Sequence, residues 1–208
     1  MGNEFDGSFI VFEGLDGSGT TTQSRLLADY LRKKGRSVIE VEEPGGTDLG
    51  RAVRDLLLQD RGLDIEPLSE LFLYEVSRSQ LVREKIIPEL EKGIVVVSDR
   101  FAISSVAYQG YGRGISIETV KTLNGIAVDR LEPDLTVLLD IDLDERDRRS
   151  SGRKLDRIER EEREFHRKVR EGYLEEIRTT DDAIIIDGSL PKKEIARRVA
   201  SKLEKVFQ

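Results

Sequence analysis

A chain of 208 residues with 34 Lys and Arg against 41 Asp and Glu carries a formal charge of −7 at neutral pH. It has no cysteine and one histidine, His166, which excludes disulfide frameworks, iron–sulfur clusters, thiolate nucleophiles and poly-histidine metal sites. A Ser-His-Asp triad is open only with His166 as its base, and the negative charge argues against a non-specific nucleic-acid coat. Local arginine clusters can still take phosphate. At 38% hydrophobic and 36% charged, the chain is too apolar for disorder and fits one domain over residues 1–208. The longest apolar runs, such as Ile94–Val97, are strand-sized, far below the roughly 20 residues a membrane helix needs. The start, MGNEFDGS, lacks an apolar signal core and has Asp6 where a myristoylation motif wants Ser or Thr. A cytoplasmic protein with neither membrane nor nucleic acid as partner is expected. Its scarce Asn and Gln and abundant Glu, Lys and Arg hint at a thermophile.

In chain order, Phe9–Phe12, Ser37–Val41, Ile94–Val97, Leu135–Leu139 and Ala183–Ile186 read as strands. Three of them are apolar without alternation, as strands covered on both faces are. Between them Gln23–Lys34, Gly50–Gln59, Pro67–Glu91, Ile117–Asp129 and Arg157–Arg178 have helical patterns, and Lys192–Val206 closes the chain behind Pro191. Such alternation predicts an α/β parallel sheet with right-handed crossovers. From Asp144 to Glu171 charged residues dominate. Glu159–Glu171 reads as a solvated helix with ion pairs, and RRSSGRKLDR before it as a mobile basic flap holding Arg148, Arg149, Arg153 and Arg157.

The first strand runs into Gly14-Leu15-Asp16-Gly17-Ser18-Gly19-Thr20-Thr21-Thr22 and then into a helix. Gly14-x4-Gly19 followed by Thr20 and Thr21 is the spacing of a phosphate-binding P-loop. Glycines let successive backbone N–H groups converge on phosphate oxygens, and the helix N-terminus adds partial positive charge. Thr21 stands at the hydroxyl position that would ligate Mg²⁺. Position 20 is Thr, however, where the motif has the lysine that reaches the β- and γ-phosphates. Either another cation substitutes, or turnover is crippled, or the chain only binds. The third strand ends in Asp99-Arg100, which puts a carboxylate for Mg²⁺ and a guanidinium for phosphate at the carboxyl edge of the sheet.

The string DRFAISSVAYQG from Asp99 to Gly110 resembles the signature of the thymidylate kinase family. Glu43-Pro44-Gly45-Gly46-Thr47, the run Leu73–Gln80 and Leu155–Glu159 resemble that family's E-P-G-G-T loop, its aromatic-x3-Arg-x-Gln helix and its lid motif, in the same order. The resemblance implies a three-layer P-loop kinase fold with a five-stranded parallel sheet and a short Arg-rich lid at approximately 146–158. It implies phosphorylation of dTMP by Mg-ATP in dTTP synthesis, and a homodimer. Residue by residue, Arg78 and Arg100 would hold the acceptor monophosphate, Arg78 reaching toward the base as well, Tyr74 would stack on thymine, Ser104 and Ser105 would meet the pyrimidine edge, and Gln109 would belong to the dTMP site. Tyr108 would crowd the 2′ position, and Asp16 would lie near the acceptor sugar and metal. Asp99, Arg100, Arg153 and Arg157 would serve catalysis, with Arg153 or a neighbour standing in for the lysine.

Glu42 departs from the family, which often has Arg there, so no phosphate role passes to it; Arg51 or Arg54 on the next helix could contribute, or simply be surface charge. Asp187-Gly188-Ser189-Leu190 lies where the family contacts adenine, though capping explains it as well. Two rival readings stay open: a kinase for another nucleoside monophosphate, and a nucleotide-binding module with little turnover.

Overall fold

β1 (Phe9–Gly14) divides its side chains between two hydrophobic cores, which places it in the middle of the sheet. Ile10 and Phe12 enter one core, Phe9 and Val11 the other, and such a strand belongs where helices cover both faces. β2 (Val38–Glu42), β3 (Val95–Asp99), β4 (Leu135–Asp140) and β5 (Ala183–Asp187) join it in the order β2-β3-β1-β4-β5, every pair parallel. This computed structural model describes residues 5–59 and 61–206, with the backbone alone for 204–206. Residues 1–4, on which much of the reading of the N-terminus rests, lie outside them.

The helices are α1 (Thr20–Lys33), α2 (Asp48–Leu58), α3 (Pro67–Leu81), α4 (Ile87–Leu90), α5 (Ala102–Ser105), α6 (Ile117–Val128), α7 (Leu143–Ser150), α8 (Arg163–Arg178) and α9 (Lys192–Val206). Leu27 and Leu31 of α1 and Ile195, Val199 and Leu203 of α9 cover one face of the sheet. Leu81 ending α3, Leu90 ending α4, and Val169 and Tyr173 of α8 cover the other. The three-layer α/β architecture is the one expected.

Three differences from the sequence reading are local. The helix expected over Pro67–Glu91 is one run interrupted by a π turn at Val82–Ile86, just before Pro88, a residue with no N–H for the helical ladder. A second π segment, Val106–Gly112, continues α5 through a stretch to which the sequence pattern assigns no element. The basic flap is partly a helix: Asp142 caps α7 by accepting the Glu145 N–H at 2.8 Å, and only 151–162 is irregular.

All strands end at one edge. Register sets Asp99 opposite both Phe12 and Glu42, and Asp140 opposite Asp187. β1 lies where strand order reverses, so a crevice opens beyond its carboxyl end.

Candidate active site

Beyond β1 the chain makes the glycine turn. A Cβ at Gly14 would lie 2.6 Å from both the Leu139 carbonyl and Ser18 Oγ, so no other residue fits. Gly19, left-handed at φ 101°, precedes α1, and no side chain caps that helix. Its first N–H groups are therefore disposed toward an incoming anion. Thr20 is buried and supplies no charge. Thr21 Oγ1 donates to Asp99 Oδ2, while Asp99 Oδ1 is buried without a partner. This oxygen-only pair with one orphaned lone pair suits a hard cation. Among the described residues no three His, Cys, Asp or Glu side chains converge on a metal position. Phosphate and water oxygens would have to complete the shell, as Mg²⁺ favours.

Arg100 takes a left-handed backbone, φ 71°, unusual for a side chain of this size. Its contacts hold it there. Nη1 donates to the Gly14 carbonyl and to Tyr173 Oη, both at 2.7 Å, and Nη2 donates to Asp16 Oδ1 at 2.7 Å. Asp16 Oδ2 accepts from Tyr108 Oη at 2.8 Å. Glu13, fully buried, accepts from the Phe101 N–H at 3.0 Å and Ser104 Oγ at 2.5 Å, tying β1 to the turn that carries Arg100. Burial pushes the Glu13 carboxyl up to about 7.

Two clefts meet at these groups. One, about 540 Å³, is lined by Tyr74, Arg78, Ser104, Ser105, Tyr108 and Gln109 among others. The other, about 1050 Å³, is lined by the glycine turn, Thr20–Thr22, Asp99, Arg149 and Arg153. Asp16, Glu43, Arg54, Arg100 and Asp156 line both. In the first, Arg78 is 1% exposed and committed to Glu43, Glu75, Asn124 and Ser105, so its reach is short. Arg54 donates to the Pro44 carbonyl at 2.7 Å and lies 3.8 Å from Glu42, whereas Arg51 is exposed and pairs with Asp48. Of the two, Arg54 belongs to the site.

The basic segment divides its arginines. Arg149 donates to the carbonyls of Gly17 at 2.9 Å, Ser18 at 3.2 Å and Gly188 at 2.8 Å, which bolts α7 over the glycine turn. Arg153 pairs with Glu159 beside the same cleft, while Arg148 is exposed and pairs with Glu145. Arg157, expected to close over the triphosphate, is elsewhere: it donates to the Leu57 carbonyl at 2.8 Å and to Glu70 at 2.6 Å, behind the first cleft. Being four residues from Arg153 did not keep it on the same side, because the turn at 156–159 reverses the chain. His166 is fully buried, its Nε2 2.7 Å from Arg146 and its Nδ1 unpartnered, so the triad reading fails.

Residues 12–199 match the family model described as thymidylate kinase. The chain belongs to the thymidylate kinase family. It is 47% identical to the thymidylate kinase of Caldanaerobacter subterraneus over 97% of each chain, and 45% identical to that of Thermosipho africanus over 96% and 99%. The crystal structure of thymidylate kinase from Ehrlichia chaffeensis superposes with a TM-score of 0.78 at 34% identity, covering 95% of this chain and 98% of that one. The protein is accordingly a nucleoside monophosphate kinase, a phosphotransferase. No described helix is long and apolar enough to cross a membrane. The thymidylate kinase motifs point to Arg100, Asp16 and Tyr108 but not to Tyr173, which bonds Arg100, to Glu13, which ties down the turn carrying it, or to Glu70, which holds Gln109. A charged residue inside the apolar run FIVFEG was the one signal for Glu13.

Proposed function

We propose that this chain transfers the γ-phosphoryl group of ATP to dTMP, giving ADP and dTDP, with Mg²⁺, in the cytoplasmic supply of dTTP. The observation that carries the reading is the meeting of the two clefts at Asp16 and Arg100. ATP phosphates would lie on the N–H groups of Gly14–Thr22, and Thr21 and Asp99 would hold Mg²⁺ directly or through water. That ion would neutralise charge developing on the transferred group. dTMP would enter the other cleft, its base on Tyr74 with Ser104, Ser105 and Gln109 at its edge. Tyr108, held by Asp16, would crowd a 2′-hydroxyl.

Arg100 would fork onto the acceptor phosphate, with Arg78 reaching the same ligand from the cleft wall. The attacking phosphate oxygen is already anionic, so no side chain has to remove a proton, and the work left is alignment and charge. Arg149 and Arg153 would provide the donor-side charge that Thr20 does not. Arg157, tied to Glu70, would hold the root of the lid rather than touch ATP. Closure of 146–158 would exclude water. Thr20 itself favours a second reading, a binding module with little turnover.

The test is ADP and dTDP formation from ATP, Mg²⁺ and dTMP, beside Thr20→Lys and Arg100→Lys. dTMP-dependent turnover by the unaltered chain is expected, with Arg100→Lys lowering kcat about 100-fold because an ammonium cannot fork. Turnover confined to Thr20→Lys selects the binding module, and preference for another monophosphate selects the rival kinase.

A further inference from the structure

Glu70 was not among the motif residues, yet it lies at the centre of the acceptor cleft's wiring. It sits on α3 at i−4 and i−8 from Tyr74 and Arg78, on the helix face turned to the cleft, and its side chain is 0% exposed. Its carboxylate accepts from Gln109 Nε2 at 2.9 Å, from Arg113 Nε and Nη2 at 3.1 Å each, and from Arg157 Nη2 at 2.6 Å. Two guanidiniums and an amide hold its pKa below the usual carboxylate range despite burial. An ionised carboxylate has no hydrogen to give. The Gln109 amide can therefore face Glu70 only with its NH₂ end. Gln109 is itself 1% exposed and lines the cleft, so its carbonyl oxygen is what remains to offer a ligand.

We propose that Glu70 is the positioning residue that sets which base the cleft accepts: by locking the Gln109 amide with its carbonyl as an acceptor, it selects a pyrimidine whose edge carries an N–H donor. The inference rests on the reading of this cleft as the monophosphate site. Thymine and uracil carry that donor at N3, whereas cytosine has an unprotonated, accepting N3. Two acceptors face to face leave both unpaired, a mismatch that discriminates far more strongly than a missing methyl group. Because Arg157 belongs to the lid segment, the same carboxylate joins the lid's root to the base pocket.

The test is calorimetric binding of dTMP, dCMP and N3-methyl-dTMP to the full chain, to Glu70→Gln, to Gln109→Leu and to the double variant. Glu70→Gln keeps size and shape but both donates and accepts, so the Gln109 amide can turn over. The unaltered chain is expected to prefer dTMP over dCMP by at least about 100-fold and to lose about as much affinity with N3-methyl-dTMP. Glu70→Gln should lower the dTMP preference about 10-fold or more, and should change nothing further once Gln109 is Leu. Glu70→Gln retaining the full preference, or the same loss appearing with Leu at 109, would overturn the proposal. Equal binding of dTMP and N3-methyl-dTMP by the unaltered chain would overturn it without any variant. Turnover assays on the same proteins separate the two readings: phosphorylation of dTMP with an unchanged preference sinks only this inference, and absence of dTMP turnover and binding sinks the reading of the site.

Discussion

Glu13 is a carboxyl group inside a strand whose neighbours Phe12 and Val11 are core residues, and its partners are the Phe101 N–H and the Ser104 hydroxyl. Ionisation costs it hydration that two neutral donors replace only in part, hence the rise to about 7 from 4.5. A raised folded-state value means the folded chain binds this proton more tightly than the unfolded one. The group's contribution to stability is thus fully present below about 4.5 and is lost as pH rises through about 7. Glu13→Gln can keep both contacts, its carbonyl accepting from Phe101 and its amide donating to Ser104. It should therefore stabilise the protein at pH 8 relative to pH 5, by at most about 3 kcal/mol, as followed by urea unfolding at the two pH values. A pH-independent effect would show that Glu13 is not the group titrating.

Among elements, the pairing of α8 with the π segment Val106–Gly112 positions Tyr108 and Tyr173 for the site. It depends on two glycines: a Cβ on Gly172 would meet the Tyr111 ring at 2.7 Å, and one on Gly112 would meet Phe165 at 2.6 Å. Gly172→Ala favours the helix by propensity but pushes the elements apart. The packing cost should prevail, by about 1–3 kcal/mol, read as a lowered Tm. The start of α8 shows where sequence patterning misleads. Charges at helical spacing continue back to Arg157, yet the helix begins at Arg163. Asp156 Oδ1 accepts the Glu159 N–H at 2.8 Å and Glu159 Oε2 accepts the Asp156 N–H at 3.1 Å, a reciprocal pair that closes a separate turn. Acid residues three apart look the same in sequence whether they decorate a helix or stop one.

For the whole molecule, α3 has two sides with different tasks. Glu70, Tyr74 and Arg78 face the cleft, while Leu68, Phe72 and Val76 on the other side are 48%, 49% and 42% exposed, beside Ile126 of α6 at 67%. Apolar side chains at i, i+4 and i+8 left in water mark a surface that a second copy would cover. The homodimer implied by family resemblance would use it. Phe72→Glu should convert the protein from twice the chain mass to the chain mass in light scattering. A dimer that survives the substitution would place the interface elsewhere.

The sequence by itself determined the sheet, the helix order, the glycine turn and the family, because each is written in local spacing: apolar runs of strand length, Gly14-x4-Gly19, Asp99-Arg100. It also placed Arg100 and Tyr108 at one site through a contiguous motif, and Asp16 beside the glycine turn through another. Tertiary structure alone decided that Arg149 and Arg153 line the cleft at the glycine turn while Arg157 turns back to Glu70, and that Glu13 braces the Arg100 turn. The Arg157–Glu70 and Glu13–Phe101 contacts join residues 87 and 88 positions apart, and partner choice over such separations follows from burial and the need of each buried polar group for a partner, which no local pattern records.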